Sequence, residues 1–196
     1  MRFYKYLNEN IDNYVVVYSG RFQPFHQGHY GVYQHLCNKF GEKSVYIATS
    51  DKVDLPKSPF NFNEKHRIIT TLFPVSRDRV IKVKNPYAPT EVLNNYDESY
   101  AYIAVVGRKD ADRLVRGKYF EEYQDGMDLV GYKQGGYTYI APQSDAYYQG
   151  QPISGTLVRE TFREASEADK KELFMTLYPK WDEQIFKLIM EKLGEN

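Results

Sequence analysis

Residues 20–29 read GRFQPFHQGH directly after the apolar run YVVVYS, placing two imidazoles, a guanidinium and two glycines in one short turn. A turn of this kind, leading from a strand into a helix, suits the binding of an anion. Gly20 leaves room for a ligand to approach the backbone, Pro24 stiffens the loop, and Gly28 allows tight entry into a helix beginning about His29. The helix start presents free N–H groups and the positive end of its dipole. His26 and His29 can donate hydrogen bonds to phosphate oxygens, and Arg21 adds a permanent charge. The competing reading is a pair of metal ligands. It lacks a neighbouring Asp, Glu or Cys, and the spacing is poor for a helical zinc pair. The residues of the turn alone point to a phosphate-binding α/β protein.

The elements that must position this turn follow from the alternation of apolar runs with helical patterns. Strands are expected at 14–19, 44–50, 79–84, 101–106 and 137–142, which predicts a Rossmann-like, mainly parallel five-stranded sheet flanked by helices. Residues 29–40 put His29, Tyr33, Leu36, Cys37 and Phe40 on one helical face, with Gly41 as the stop. A second helix is expected from about Asn63, with Ile68, Ile69 and Leu72 inward and Pro74 at its end. A short third one follows Pro89. From 108 to 136 the pattern weakens and reads as an irregular insertion. Beyond Ser154 the chain turns helical, and Ser166 with Asp169 forms a capping box for the next helix. Ligands of such sheets bind at the carboxyl ends of the strands, where the winding reverses, and GRFQPFHQGH lies there.

The 196 residues suit a single domain, with a core over about 12–165 and a C-terminal helical extension over about 166–196. Twenty-six basic residues balance 26 acidic ones, so no global field attracts nucleic acid or an anionic membrane, and phosphate binding must be local. No patch of basic and aromatic residues favours RNA. The single cysteine, Cys37, excludes an internal disulfide and a Cys-rich zinc site. The N-terminal segment lacks an apolar leader and no stretch reaches membrane-spanning length, so a soluble, cytoplasmic protein is expected. Nineteen tyrosines concentrate around 119–148, as a self-packed loop or as a contact between copies of the chain.

GRFQPFHQGH resembles the G-x-F-x-P-x-H-x-G-H motif of the nucleotidylyltransferase superfamily. The second element of that superfamily, I-S-x-T-x-x-R, is matched by ISGTLVR at 153–159. Two motifs in the right order, each beside an expected strand, are more specific than either alone. The combination is most similar to archaeal-type nicotinamide mononucleotide adenylyltransferases, and small stand-alone members also occur in tailed phages. The resemblance implies transfer of a nucleoside monophosphate from an NTP, taken as ATP, to a phosphorylated acceptor, taken as NMN, with release of pyrophosphate. It implies Mg²⁺ as the cofactor, with ligands chiefly from the triphosphate. A cytidylyltransferase or phosphopantetheine-type adenylyltransferase is the alternative, although the RTEGISTT-type run of cytidylyltransferases is missing. A nucleotide-binding regulator without turnover is the alternative of another class.

By the same resemblance His26, His29 and Arg159 are the catalytic residues. Gly20, Arg21, Phe22, Gly28, Ser154, Gly155 and Thr156 would bind the nucleotide, with Gly107 and Asp110 at the turn after the fourth strand. SPFNFNEKHR resembles the NPFTAGER-like segment of the archaeal enzymes, making Asn61 and Phe62 acceptor contacts. Lys57 could reach the acceptor phosphate, and Tyr87 could stack on the acceptor ring or pack in the core. Ser154 also reads as a helix N-cap, and both roles can hold, because a cap exposes the donors that grip phosphate.

Overall fold

The computed structural model describes residues 13–142 and 146–194; the segment 1–12, where the absence of a leader was read, lies outside this range. Six parallel strands form one sheet: β1 (Tyr14–Ser19), β2 (Val45–Thr49), β3 (Val80–Lys82), β4 (Ala101–Val106), β5 (Phe120–Glu122) and β6 (Gly136–Ile140), in the order β3-β2-β1-β4-β6-β5. β1 pairs with β2 on one side (Ser19 opposite Ala48) and with β4 on the other (Tyr18 opposite Val105). The winding reverses at β1, which opens a crevice at its carboxyl end. Strand β1 is buried on both faces, as its near-continuous apolar run requires.

One face carries α1 (Gln27–Phe40), α2 (Phe62–Leu72), α5 (Gly155–Glu164), α6 (Glu167–Leu177) and α7 (Glu183–Gly194). Val16 and Ile103 share a single core with Leu36, Ile68, Phe162, Phe174 and Ile189 on this face, all fully buried. The C-terminal helices therefore pack into the main core, each buried large side chain stabilising it by roughly 1.5–3 kcal/mol. The opposite face, with Val15, Val17, Tyr102 and Ala104, is covered more thinly by α3 (Thr90–Leu93), by Leu114 of α4 (Arg108–Val115), and by Tyr100 and Tyr132. No described helix is long and apolar enough to cross a membrane.

Two expectations are corrected. Among the described residues the sheet has six strands, not five, because β5 lies inside the stretch read as an irregular insertion; at three residues it is too short to show a period. That stretch also holds α4, whose sequence RKDADRLV is polar on most sides. A small antiparallel pair, β7 (Tyr147–Tyr148) with β8 (Gln151–Pro152), precedes α5. The tyrosine-rich segment packs on itself: Tyr119 donates to the Tyr132 carbonyl and Tyr137 accepts from the Val130 N–H.

Candidate active site

The turn after β1 is built around the two histidines. His26 is the N-cap of α1, with an extended backbone (φ −148°, ψ 178°), so the helix starts at Gln27 rather than at His29. Its Nδ1 accepts from the Gly28 N–H at 3.1 Å, while the His29 Nδ1 accepts from the His26 N–H at 3.3 Å. An imidazole thus does the work usually given to Ser or Asp at a cap. Because each Nδ1 is an acceptor, each neutral ring carries its proton on Nε2. Burial pushes the His26 pKa down to about 4, and burial together with His26 holds His29 well below the ordinary imidazole range. At neutral pH both rings are uncharged N–H donors.

Phe22 explains Gly20. Phe22 has a left-handed backbone (φ 47°) and folds its ring back, so a Cβ at Gly20 would stand 2.6 Å from ring carbons. The space that the sequence assigned to a ligand at Gly20 is filled by this ring. The same ring packs edge-on against His29, with centroids 5.1 Å apart.

The second half of the site is the start of α5. Ser154 caps it, accepting from the Leu157 N–H at 3.2 Å. The Gly155 and Thr156 N–H groups precede the first intrahelical acceptors and have no hydrogen-bond partner among the described residues. Arg159 lies back over this turn, donating to the Thr156 hydroxyl at 3.2 Å, and its guanidinium is 3.1 Å from where a Cβ of Gly155 would be. Burial and then repulsion from Arg21 and Arg163 lower the Arg159 pKa.

The two helix starts face one cleft of about 720 Å³ at the carboxyl edge of β1. Its lining brings together Arg21, Phe22, His26, Gly28, His29, Lys57, Ser154, Gly155, Thr156 and Arg159. Among the described residues three cationic side chains line it and no carboxylate does. Such a cavity, with two helix starts and two neutral N–H donors, suits a small polyanion.

Other expected site residues fall outside that lining. Gly107 is the N-cap of α4, and Asp110 in its first turn pairs with Arg113 at 3.1 Å. Tyr87 lies under the Arg113 guanidinium, 4.8 Å from ring centroid to carbon, so Tyr87, Arg113 and Asp110 form one chain of contacts. Asn61 is the N-cap of α2: its side chain accepts from the Glu64 N–H at 3.0 Å, and Glu64 accepts from the Asn61 N–H at 2.9 Å. This reciprocal box engages the amide oxygen of Asn61, a residue expected as an acceptor contact. Phe62 packs near His66 at 5.7 Å and carries Lys82 at 5.9 Å over its ring.

Two residues of the site region escaped the sequence reading. Buried Gln23 exchanges two hydrogen bonds of 2.9 Å with the Phe60 backbone, tying the histidine turn to the loop that carries Lys57. Lys65 is buried and donates to the Thr49 hydroxyl at 2.9 Å and the Ser50 carbonyl at 2.5 Å; burial pushes its pKa down to about 8. Its signal was present, since a lysine three and four residues before Ile68 and Ile69 lies on the apolar face of the helix.

Comparison with known proteins sets this geometry in a family. A family model described as cytidylyltransferase-like matches residues 17–161, from inside β1 to inside α5. The chain belongs to the cytidylyltransferase-like family. Within the nucleotidylyltransferase superfamily to which that family belongs, the relatives carry adenylyltransferase names. A nicotinamide-nucleotide adenylyltransferase of Methanolobus tindarius is 38% identical over 52 residues, spanning 26% of this chain and 30% of that protein. A nicotinamide/nicotinic acid mononucleotide adenylyltransferase of Acinetobacter baylyi is 23% identical over 179 residues, spanning 86% of this chain and 94% of that protein.

Among solved structures, nicotinic acid mononucleotide adenylyltransferase of Plasmodium falciparum in complex with NaAD superposes with a TM-score of 0.55 at 13% identity, covering 91% of this chain and 95% of that one. A bifunctional NMN adenylyltransferase/ADP-ribose pyrophosphatase of Francisella tularensis gives 0.56 at 15% identity, with 91% of this chain on 49% of that one. This chain therefore spans about half the length of the Francisella protein. At such identities the likeness establishes the shared fold.

Proposed function

We propose that the protein is an adenylyltransferase that joins the adenylyl group of ATP to a nicotinamide-type mononucleotide, releasing pyrophosphate. The observation that carries this reading is the convergence of two helix starts on one cleft lined, among the described residues, by three cations, two neutral imidazoles and no carboxylate. The names of the relatives support the acceptor class. They do not favour the cytidylyl or phosphopantetheine alternatives, or a regulator without turnover.

In this reading an oxygen of the acceptor phosphate attacks the α-phosphorus in line. The new P–O bond forms as the bond to the bridging oxygen of pyrophosphate breaks. No residue needs to become a covalent intermediate, so catalysis is positioning and stabilisation of charge. His26 and His29 donate Nε2–H to oxygens around the α-phosphorus. The Gly155 and Thr156 N–H groups and the hydroxyls of Ser154 and Thr156 hold the β and γ phosphates, and Arg159 neutralises the departing pyrophosphate. By comparison with removal of single oxyanion donors, each such contact contributes roughly 3–4 kcal/mol to the rate. Arg21 adds charge at the mouth of the cleft.

Among the described residues no cluster of three or more His, Cys, Asp or Glu could hold a metal ion. A divalent cation such as Mg²⁺ would therefore be held by triphosphate oxygens and water, offsetting part of their charge. The acceptor would enter from the loop carrying Lys57, whose ammonium would meet its phosphate. The protein would then work in an aqueous compartment such as the cytoplasm, on small molecules rather than on nucleic acid or membrane.

The acceptor is tested by following pyrophosphate release from ATP with NMN, with nicotinic acid mononucleotide and with phosphopantetheine in parallel. Turnover with either pyridine mononucleotide is expected. Turnover with phosphopantetheine alone would keep the reaction class and overturn the acceptor.

A further inference from the structure

We propose that the hydroxyl of Tyr18 is a ligand of the nucleotide's phosphate chain, donating a hydrogen bond from the floor of the cleft, an inference that rests on the adenylyl-transfer reading above. Tyr18 is the penultimate residue of β1, on the same face as Val16 and directly before the histidine turn. It is only 7% exposed, yet it lines the cleft. No group among the described residues hydrogen-bonds its hydroxyl, and burial is the sole influence on its ionisation. Among the described residues the hydroxyls of Tyr102 and Tyr178 are sealed from solvent without a partner; that of Tyr18 is not sealed in this way. Its oxygen therefore opens toward the cleft.

The ring is fixed. It packs edge-on against Phe22 at 5.2 Å, and Phe22 packs edge-on against His29 at 5.1 Å, so phenol and imidazole are held by one aromatic wedge. Packing alone would be met equally by phenylalanine, and a nearly buried hydroxyl without a partner is costly. Burial raises the phenol pKa far above its ordinary value, so the group stays protonated and offers an O–H donor to an anion. In a cleft whose described walls carry cations and no carboxylate, the missing acceptor is supplied by the ligand, and the oxygens of a phosphate chain held between the starts of α1 and α5 are the acceptors within that space.

The test is calorimetric titration of wild type and Tyr18→Phe with inorganic tripolyphosphate, with α,β-methylene-ATP and with adenosine, alongside the melting temperature of each ligand-free protein. The expected result is a dissociation constant about tenfold higher for both polyphosphates, unchanged adenosine binding, and a ligand-free melting temperature equal to or above that of wild type. Equal polyphosphate affinity in the two proteins overturns the role of the hydroxyl while leaving the proposed function intact. A loss confined to adenosine also overturns it. Failure of the wild type to bind either polyphosphate overturns this inference and the proposed function together.

Discussion

Gln23 and Phe60 are joined by two hydrogen bonds of 2.9 Å, the side-chain amide donating to the Phe60 carbonyl and accepting from its N–H. Both residues are buried, and the pair locks the loop between β2 and α2 onto the histidine turn. Gln23→Ala leaves a buried N–H and a buried C=O without partners, at a cost of about 1–3 kcal/mol each. The expected result is a melting temperature several degrees lower, together with a rise in the KM for the acceptor that exceeds the rise for ATP, because Lys57 rides on the loosened loop. Steady-state kinetics with each substrate varied in turn checks this; an equal rise for both would separate Gln23 from the acceptor loop.

The buried histidines make stability depend on pH in a definite direction. His26 binds its proton at about pH 4 in the folded protein, against an ordinary value near 6.5 when unfolded. Between those values the unfolded state binds more protons, so the contribution is complete above about pH 6.5 and is lost as the pH falls toward 4. His29, shifted the same way, adds to the trend. Urea denaturation from pH 7 to 4.5 should show a falling midpoint. His26→Asn, which keeps an N-cap acceptor, should show a shallower fall.

Much of this was legible in the sequence, for identifiable reasons. β1 and β4 are apolar runs that the sheet buries on both faces, and α1 has its apolar face where the spacing placed it. His26, His29, Ser154, Thr156 and Arg159 were brought together across more than a hundred residues because each motif follows a strand whose carboxyl end lies at the same crevice. What was not legible depends on tertiary pairing. β5 is three residues held by β6, and α4 has too little apolar surface to announce itself. Asn61 stands in a stretch similar to an acceptor-binding segment, but Glu64 three residues on already marked it as half of a capping box. Gln23 and Tyr18 sit inside or beside a recognised motif, and what singles them out is tertiary: the Phe60 backbone that Gln23 bonds and the cleft that Tyr18 lines.

Gly155 tests the second helix start. A methyl group there would stand 3.1 Å from the Arg159 guanidinium and 3.6 Å from the Gln23 carbonyl. The guanidinium can move away, so Gly155→Ala should change stability by less than about 1 kcal/mol. Displacing the charge should raise the KM for ATP severalfold, which kinetics with saturating acceptor would show.

Chelation separates metal use from metal architecture. Since no cluster of three or more ligating side chains exists among the described residues, EDTA should stop turnover while leaving the melting temperature of the ligand-free protein unchanged. Restoration by Mg²⁺ completes the check. A lower melting temperature in EDTA would point to a metal held by the protein itself.

The central claim is that two neutral imidazoles and a second helix start act together on a triphosphate, and it is tested most directly by pyrophosphate release from ATP and a pyridine mononucleotide in wild type and His29→Ala. Turnover by the wild type is predicted, with a loss of about 10²–10³-fold in kcat for the variant at an unchanged fold. Undiminished pyrophosphate release by a correctly folded His29→Ala protein, or none from the wild type with any phosphorylated acceptor, would contradict it.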